Sequence, residues 1–135
     1  MWKELTVSYI ESIMSPSVYA SYQAWLSDNP EKADRLEDII SNTATEYRSA
    51  MAANAAPVPN TSDTAIHESC VRHAQTTVLF ELKKEIGLSI SEAENAAAIR
   101  ADVFLRGVWI GSIPITVATQ PSPSYAPLAD LVQEP

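Results

Sequence analysis

Apolar and small residues recur along this chain at the spacing of one helix face after another. Leu36, Ile39, Ile40, Thr43, Ala44, Tyr47 and Met51 follow the i, i+3, i+4, i+7 rhythm of a single buried stripe. Ile66, Cys70, Val71, Ala74, Val78, Leu79, Leu82 and Ile86 predict a second long helix, and Phe80 widens its apolar arc enough to place it mid-bundle. Ala93, Ala96, Ala97, Ile99, Val103 and Phe104 predict a last helix reaching Val108, with alanines that admit a close neighbour. Two shorter helices come first. Val7, Ile10, Ile13 and Met14 share one face, and Val18, Tyr22, Trp25 and Leu26 share another.

Punctuation residues set the ends. Thr6 caps the first helix, and Ser15-Pro16 pairs a cap with a proline at the first helical position. Asn29-Pro30-Glu31 repeats that start and adds an acid where the helix dipole favours it. Residues 54–63 read as a loop, after which Asp63 or Thr64 caps the next helix. Gly87 ends that helix in the left-handed conformation, and Ser91-Glu92-Ala93-Glu94 is a capping box for the one that follows. Gly107 and Gly111 are expected to loosen the exit from the last helix. Ile113-Pro114-Ile115-Thr116-Val117 is β-prone, but Pro114 limits it to an edge or an intermolecular pairing.

Five of the nine prolines lie at 114, 121, 123, 127 and 135, and no basic residue follows Arg106. Such a segment favours extended conformations over helix. The expected architecture is therefore an all-α small bundle of four to five helices over 1–111. It has a β-prone edge segment and an extended Pro-rich C-terminal arm over 112–135.

Composition then removes functions. A chain of 135 residues, 46% hydrophobic, suits one globular domain. Three glycines are too few for an all-β fold with many tight turns, and they leave no phosphate-cradling loop. The net charge of −8 and the lack of a basic cluster are wrong for gripping a phosphate backbone. The one Lys-Lys pair, Lys83-Lys84, is flanked by Glu81 and Glu85. No apolar run approaches the roughly 20 residues that span a bilayer. The opening Met-Trp-Lys-Glu-Leu lacks the pattern of a signal peptide, and Cys70 is the only cysteine. These features predict an intracellular, soluble chain, or part of an assembly built inside a cell.

Candidate chemistry is sparse. His67 and His73 are six apart, about 600° around a helix, so a shared metal would need Cys70 and further ligands. Cys70 with His73 invites a nucleophile–base reading, yet no orienting partner or oxyanion loop accompanies them. A thiol on an apolar helix face is inert. The expectation is no enzyme, no metal and no cofactor. The carboxylates of Asp28 to Asp38, with Glu92 and Glu94, are either solvated faces or the lining of a channel. Trp2, Tyr9, Tyr19, Tyr22 and Trp25 crowd the start of the chain, as core anchors or as a subunit interface. Trp109 carries the same two readings.

The layout brings a resemblance. A long amphipathic helix over 30–53 leads through a Pro-containing loop to a second, opening Ala65-Ile66-His67-Glu68-Ser69-Cys70-Val71-Arg72-His73-Ala74. A capped helix follows, ending Arg106-Gly107-Val108-Trp109-Ile110-Gly111-Ser112-Ile113-Pro114-Ile115. Over roughly residues 30–116 this resembles the small helical head–tail connector proteins of tailed bacteriophages, also called head-completion or adaptor proteins. The resemblance implies a structural virion protein at the neck, assembled in the host cytoplasm. Its ring of about twelve copies would follow portal symmetry. It implies portal and tail or neck proteins as partners, genomic DNA passing through without specific binding, and no membrane.

By that analogy Trp109, Ile113, Pro114, Ile115, Val117, Pro121, Pro123, Tyr125 and Leu128 would contact the portal or a neighbouring subunit. Asp28, Glu31, Asp34, Glu92 and Glu94 would line the channel, where negative charge lets a duplex slide. The alternative is a cytosolic helical adaptor or regulatory protein that binds one protein partner through its C-terminal arm. A small terminase subunit fits less well, because no helix-turn-helix signature or basic surface is present.

Overall fold

A computed structural model describes residues 2–54, 58 and 62–115. In chain order the elements are β1 (Trp2–Glu4), α1 (Val7–Ile13), α2 (Pro16–Asp28), a 3-10 turn (Pro30–Lys32), α3 (Arg35–Ala53), β2 (Ala65–His67), α4 (Glu68–Ile86) and α5 (Glu92–Trp109). Among the described residues five helices make a mostly α-helical bundle, with one two-stranded antiparallel sheet at its edge.

The caps act as their residue types dictate. The Thr6 and Ser15 hydroxyls accept from the amides of Tyr9 and Val18. Ser91 and Glu94 complete the capping box of α5. Gly87 ends α4 at φ +82°, a conformation that costs a side-chain-bearing residue about 1–2 kcal/mol. The stripe expected on α3 is buried in full, together with Ala50. Cys70, Ala74, Val78 and Leu82 present α4 to the same core, and α4 packs against both α3 and α5.

Four local expectations are corrected. Pro30–Lys32 forms a separate 3-10 turn, and the α-helix begins only at Arg35. Neither Asp63 nor Thr64 caps α4. Ala65–His67 is extended, pairs Trp2 with His67 and Lys3 with Ile66, and leaves the His67 ring as the cap of α4. Local apolar spacing continues the helix through Ile66, but an N-terminal strand distant in sequence captures its backbone. The β structure thus lies at β1 and β2. Ile113–Ile115 carries no strand, and Thr116 and Val117 lie outside the described residues. Finally, Ile99 and Val103 are 56% and 60% exposed, while Ala101, Gly107 and Val108 are buried. The inner face of α5 carries Ala101, Gly107 and Val108, with Phe104 and Leu105 packed against the core.

Gly107 and Gly111 tighten the exit from α5, against expectation. A side chain on Gly107 would collide with Ile113, whose amide donates to the Gly107 carbonyl at 3.1 Å. Gly111 turns the chain at φ +80°, and a Cβ there would stand 2.7 Å from Oδ1 of Asn54. Residues 112–115 consequently fold back onto the bundle, across the expected 111/112 boundary.

Candidate interaction surface

The bundle has two unlike ends. Arg35 at the start of α3 reaches Glu85 at 3.3 Å, and Glu94 at the start of α5 pairs with Lys83. Both helices therefore begin beside the last turns of α4. This end gathers Asp28 at the close of α2, Glu31 in the 3-10 turn, Asp34 before α3 and Glu92 in the first turn of α5, all exposed. Glu94 differs. Its carboxylate accepts from Lys83 and from the Ser91 amide, and these bonds, the Lys83 one first, hold its pKa below the usual value. Cations are interspersed: Arg35 also approaches Asp38 at 3.9 Å, and Lys32 lies 5.8 Å from the Trp25 ring centre.

At the other end the exit of α5 is apolar and latched. The Asn54 side-chain amide, just past α3, donates to the Val108 carbonyl, to Trp109 O at 3.0 Å and to Ala50 O at 3.2 Å. One side chain thereby satisfies carbonyls that a helix end leaves without intrahelical partners. The latch holds Trp109 and Ile110 outward at 45% and 78% exposure. Pro114 is exposed beside them, whereas Ile113 and Ile115 are half-buried against the core. Val117, Pro121, Pro123, Tyr125 and Leu128 lie outside the described residues. Ile99, Val103 and Ile110 are exposed on the outer side of α5, with Arg106 between the last two. Periodicity assigned the first two to the core, so sequence reasoning missed them; the small residues on the opposite side of α5 were the available signal.

The early aromatics divide. Tyr22 is buried, and burial, with Glu11 and Tyr19 adding to it, raises its pKa. Tyr9 and Tyr19 are exposed, and the Tyr9 hydroxyl donates to Gln75 at 2.8 Å. Trp2 meets the His67 ring edge to face at 5.8 Å.

Cys70 is fully buried, and burial pushes its thiol up to about 11 despite an opposing hydrogen bond from Ser69. A thiolate is thus disfavoured at neutral pH. His67 is 5% exposed, with Nδ1 engaged by Ser69. His73 stacks on Phe104 at 4.2 Å, and burial first, then Arg72 and Arg100, lower its pKa. Among the described residues no group of three His, Cys, Asp or Glu side chains is placed to hold a metal ion. No described helix is long and apolar enough to cross a membrane. Comparison with family models, curated proteins and solved structures finds no match.

Proposed function

We propose that this chain is a structural virion protein, a head–tail connector whose copies form a ring between the portal and the tail. The observation that carries the reading is the end-to-end polarity of the bundle. Exposed carboxylates of Asp28, Glu31, Asp34 and Glu92 mark one end, and the apolar exit of α5 at Trp109, Ile110 and Pro114 marks the other. In a ring, the acidic ends face the channel and repel the duplex, so that DNA slides instead of sticking. The apolar exit, continued by residues 116–135, meets the portal or a neighbouring subunit. Aromatic and apolar anchors of this kind dominate protein interfaces. The function requires no cofactor and no catalytic step.

Native mass spectrometry of complexes captured from the producing cell through an N-terminal tag tests this. A complex of about twelve copies with a portal-sized partner is expected from portal symmetry. A one-to-one or two-to-two complex with a cytosolic protein, free of virion components, would overturn it in favour of a regulatory adaptor.

A further inference from the structure

Helices α3, α4 and α5 leave between them an open cavity of about 420 Å³. Its lining includes three exposed carboxylates, Glu46, Glu81 and Asp102, together with Thr77, Ile99 and Tyr47. Glu81 lies 3.7 Å from Lys84, and Asp102 lies 2.9 Å from Arg106, both on their own helices. Tyr47 is different. It is 1% exposed, and its hydroxyl has no hydrogen-bond partner among the described residues. Leaving a buried hydroxyl unpaired is costly. After burial itself, the charges of Cys70, Glu46 and Asp102 raise its pKa. The hydroxyl therefore sits within the field of two cavity carboxylates without bonding to either. A hydrogen-bond donor that carries positive charge on an apolar stem would satisfy the whole site: the oxygen accepts, the carboxylates neutralise, and Ile99 covers the stem.

The same chain displays such a group on its far side. Arg100 stands two residues from Asp102, about 200° around α5, so it leaves the opposite flank of that helix. Arg100 is exposed, as is Arg72 on α4, and both act on His73. One flank of the α4–α5 pair thus carries Arg72 and Arg100, with Glu68 a turn from Arg72, and the other carries the three cavity carboxylates with Lys84 and Arg106 beside them. Two different, complementary patches on one molecule define a heterologous contact, which propagates from copy to copy and closes into a ring where the rotation permits. Between the patches, Ile99 and Val103 supply exposed apolar surface for such a contact to bury.

We propose that Arg100 of a second copy of this chain enters the cavity, donating to the Tyr47 hydroxyl with its charge held by Glu46 and Asp102. This deepens the connector reading and rests on it, since it assigns the contact between ring neighbours.

The test is native mass spectrometry of the purified full chain across protein and salt concentration. Circular dichroism confirms that each variant is folded. The wild type is expected to form oligomers that weaken with salt. Arg100→Glu and Glu46→Lys should each weaken association at least about tenfold. The double variant in one chain, with the charges exchanged, should recover it, a result that misfolding cannot mimic. Tyr47→Phe should weaken association without changing its salt dependence. A monomeric wild type, an oligomer indifferent to Arg100→Glu, or a double variant that fails to recover would each overturn the contact. If portal-sized rings are nevertheless captured from cells, the connector reading survives and only this contact is lost. An Arg100-dependent oligomer without virion partners would retain the contact and remove the connector.

Discussion

Where α4 stops, α3 and α5 begin with exposed acids, and α5 adds its own capping box; where α5 stops, one side chain from the end of α3 gathers three carbonyls. The acidic end is assembled from neighbours in sequence, such as Ser91 with Glu94, and joined to the bundle by ion pairs on partly exposed side chains. Ion pairs of that kind contribute about 0–1 kcal/mol. The apolar exit of α5 depends on residues far apart in sequence, Asn54 with Val108 and with Trp109. Charge can therefore change at one end with little cost to folding, whereas shape at the other end is held by specific contacts.

The two left-handed glycines break this comparison most directly. Gly87 and Gly111 have φ of +82° and +80°, so alanine strains the backbone equally at both. Nothing lies within 4 Å of a Cβ at Gly87, while one at Gly111 meets Asn54. Gly111→Ala is expected to cost roughly 2–4 kcal/mol, the strain plus loss of the latch. Gly87→Ala should cost only about 1–2 kcal/mol. Urea unfolding of the pair measures the difference, and equal costs would remove the distinction between the ends.

Asn54→Ala tests the latch alone. It leaves part-buried carbonyls of Ala50 and Val108 without this donor, and a loss of about 1–3 kcal/mol is expected. Hydrogen exchange should show faster opening of the last turn of α5, with the first turn unchanged.

Acid should affect the two halves in separate windows. His73 is held below 6.5 by burial and then by Arg72 and Arg100. Its contribution to stability is complete above about pH 6.5 and is lost as pH falls through the lowered folded value. His73→Gln should flatten that decline. Glu94 is held below 4.5 chiefly by Lys83, so its contribution is present above that value and is lost only at lower pH, as pH falls through the folded value. Thermal melts across pH 3 to about 8 check both. A decline that is unchanged in His73→Gln would contradict the assignment.

The smallest effect belongs to the exposed acids. Asp28→Asn, Glu31→Gln and Asp34→Asn together should shift stability by no more than about 0.5 kcal/mol. A larger loss in denaturant unfolding would make these carboxylates structural instead of functional.

Much of the bundle was legible because its signals are local. The stripe of α3, the Ser15-Pro16 start, the capping box at Ser91 and the glycine stop at 87 each need only a few consecutive residues, and each appears as read. The strand pair was not legible. Ile66 fits the helical rhythm of α4, and only pairing with Lys3 in the N-terminal strand makes it extended. The outer face of α5 was misread for a related reason. Ile99 and Val103 fit the helical rhythm, but Ala101, Phe104, Leu105 and Val108 face the core instead. The glycines at 107 and 111 suggested looseness because Ile113 and Asn54, the groups packed on them, are not evident from spacing. Trp109 and Pro114 were singled out from the sequence and are exposed, whereas the cavity beside Tyr47 depends on how three helices meet.

Electron cryo-microscopy of the captured complex tests the central claim most directly. The account predicts a ring of this chain in which Asp28, Glu31, Asp34 and Glu92 point into the lumen and Trp109, Ile110 and Pro114 are covered by protein. A ring with all of those carboxylates on its outer wall, or a complex with no ring and an uncovered α5 exit, would contradict it.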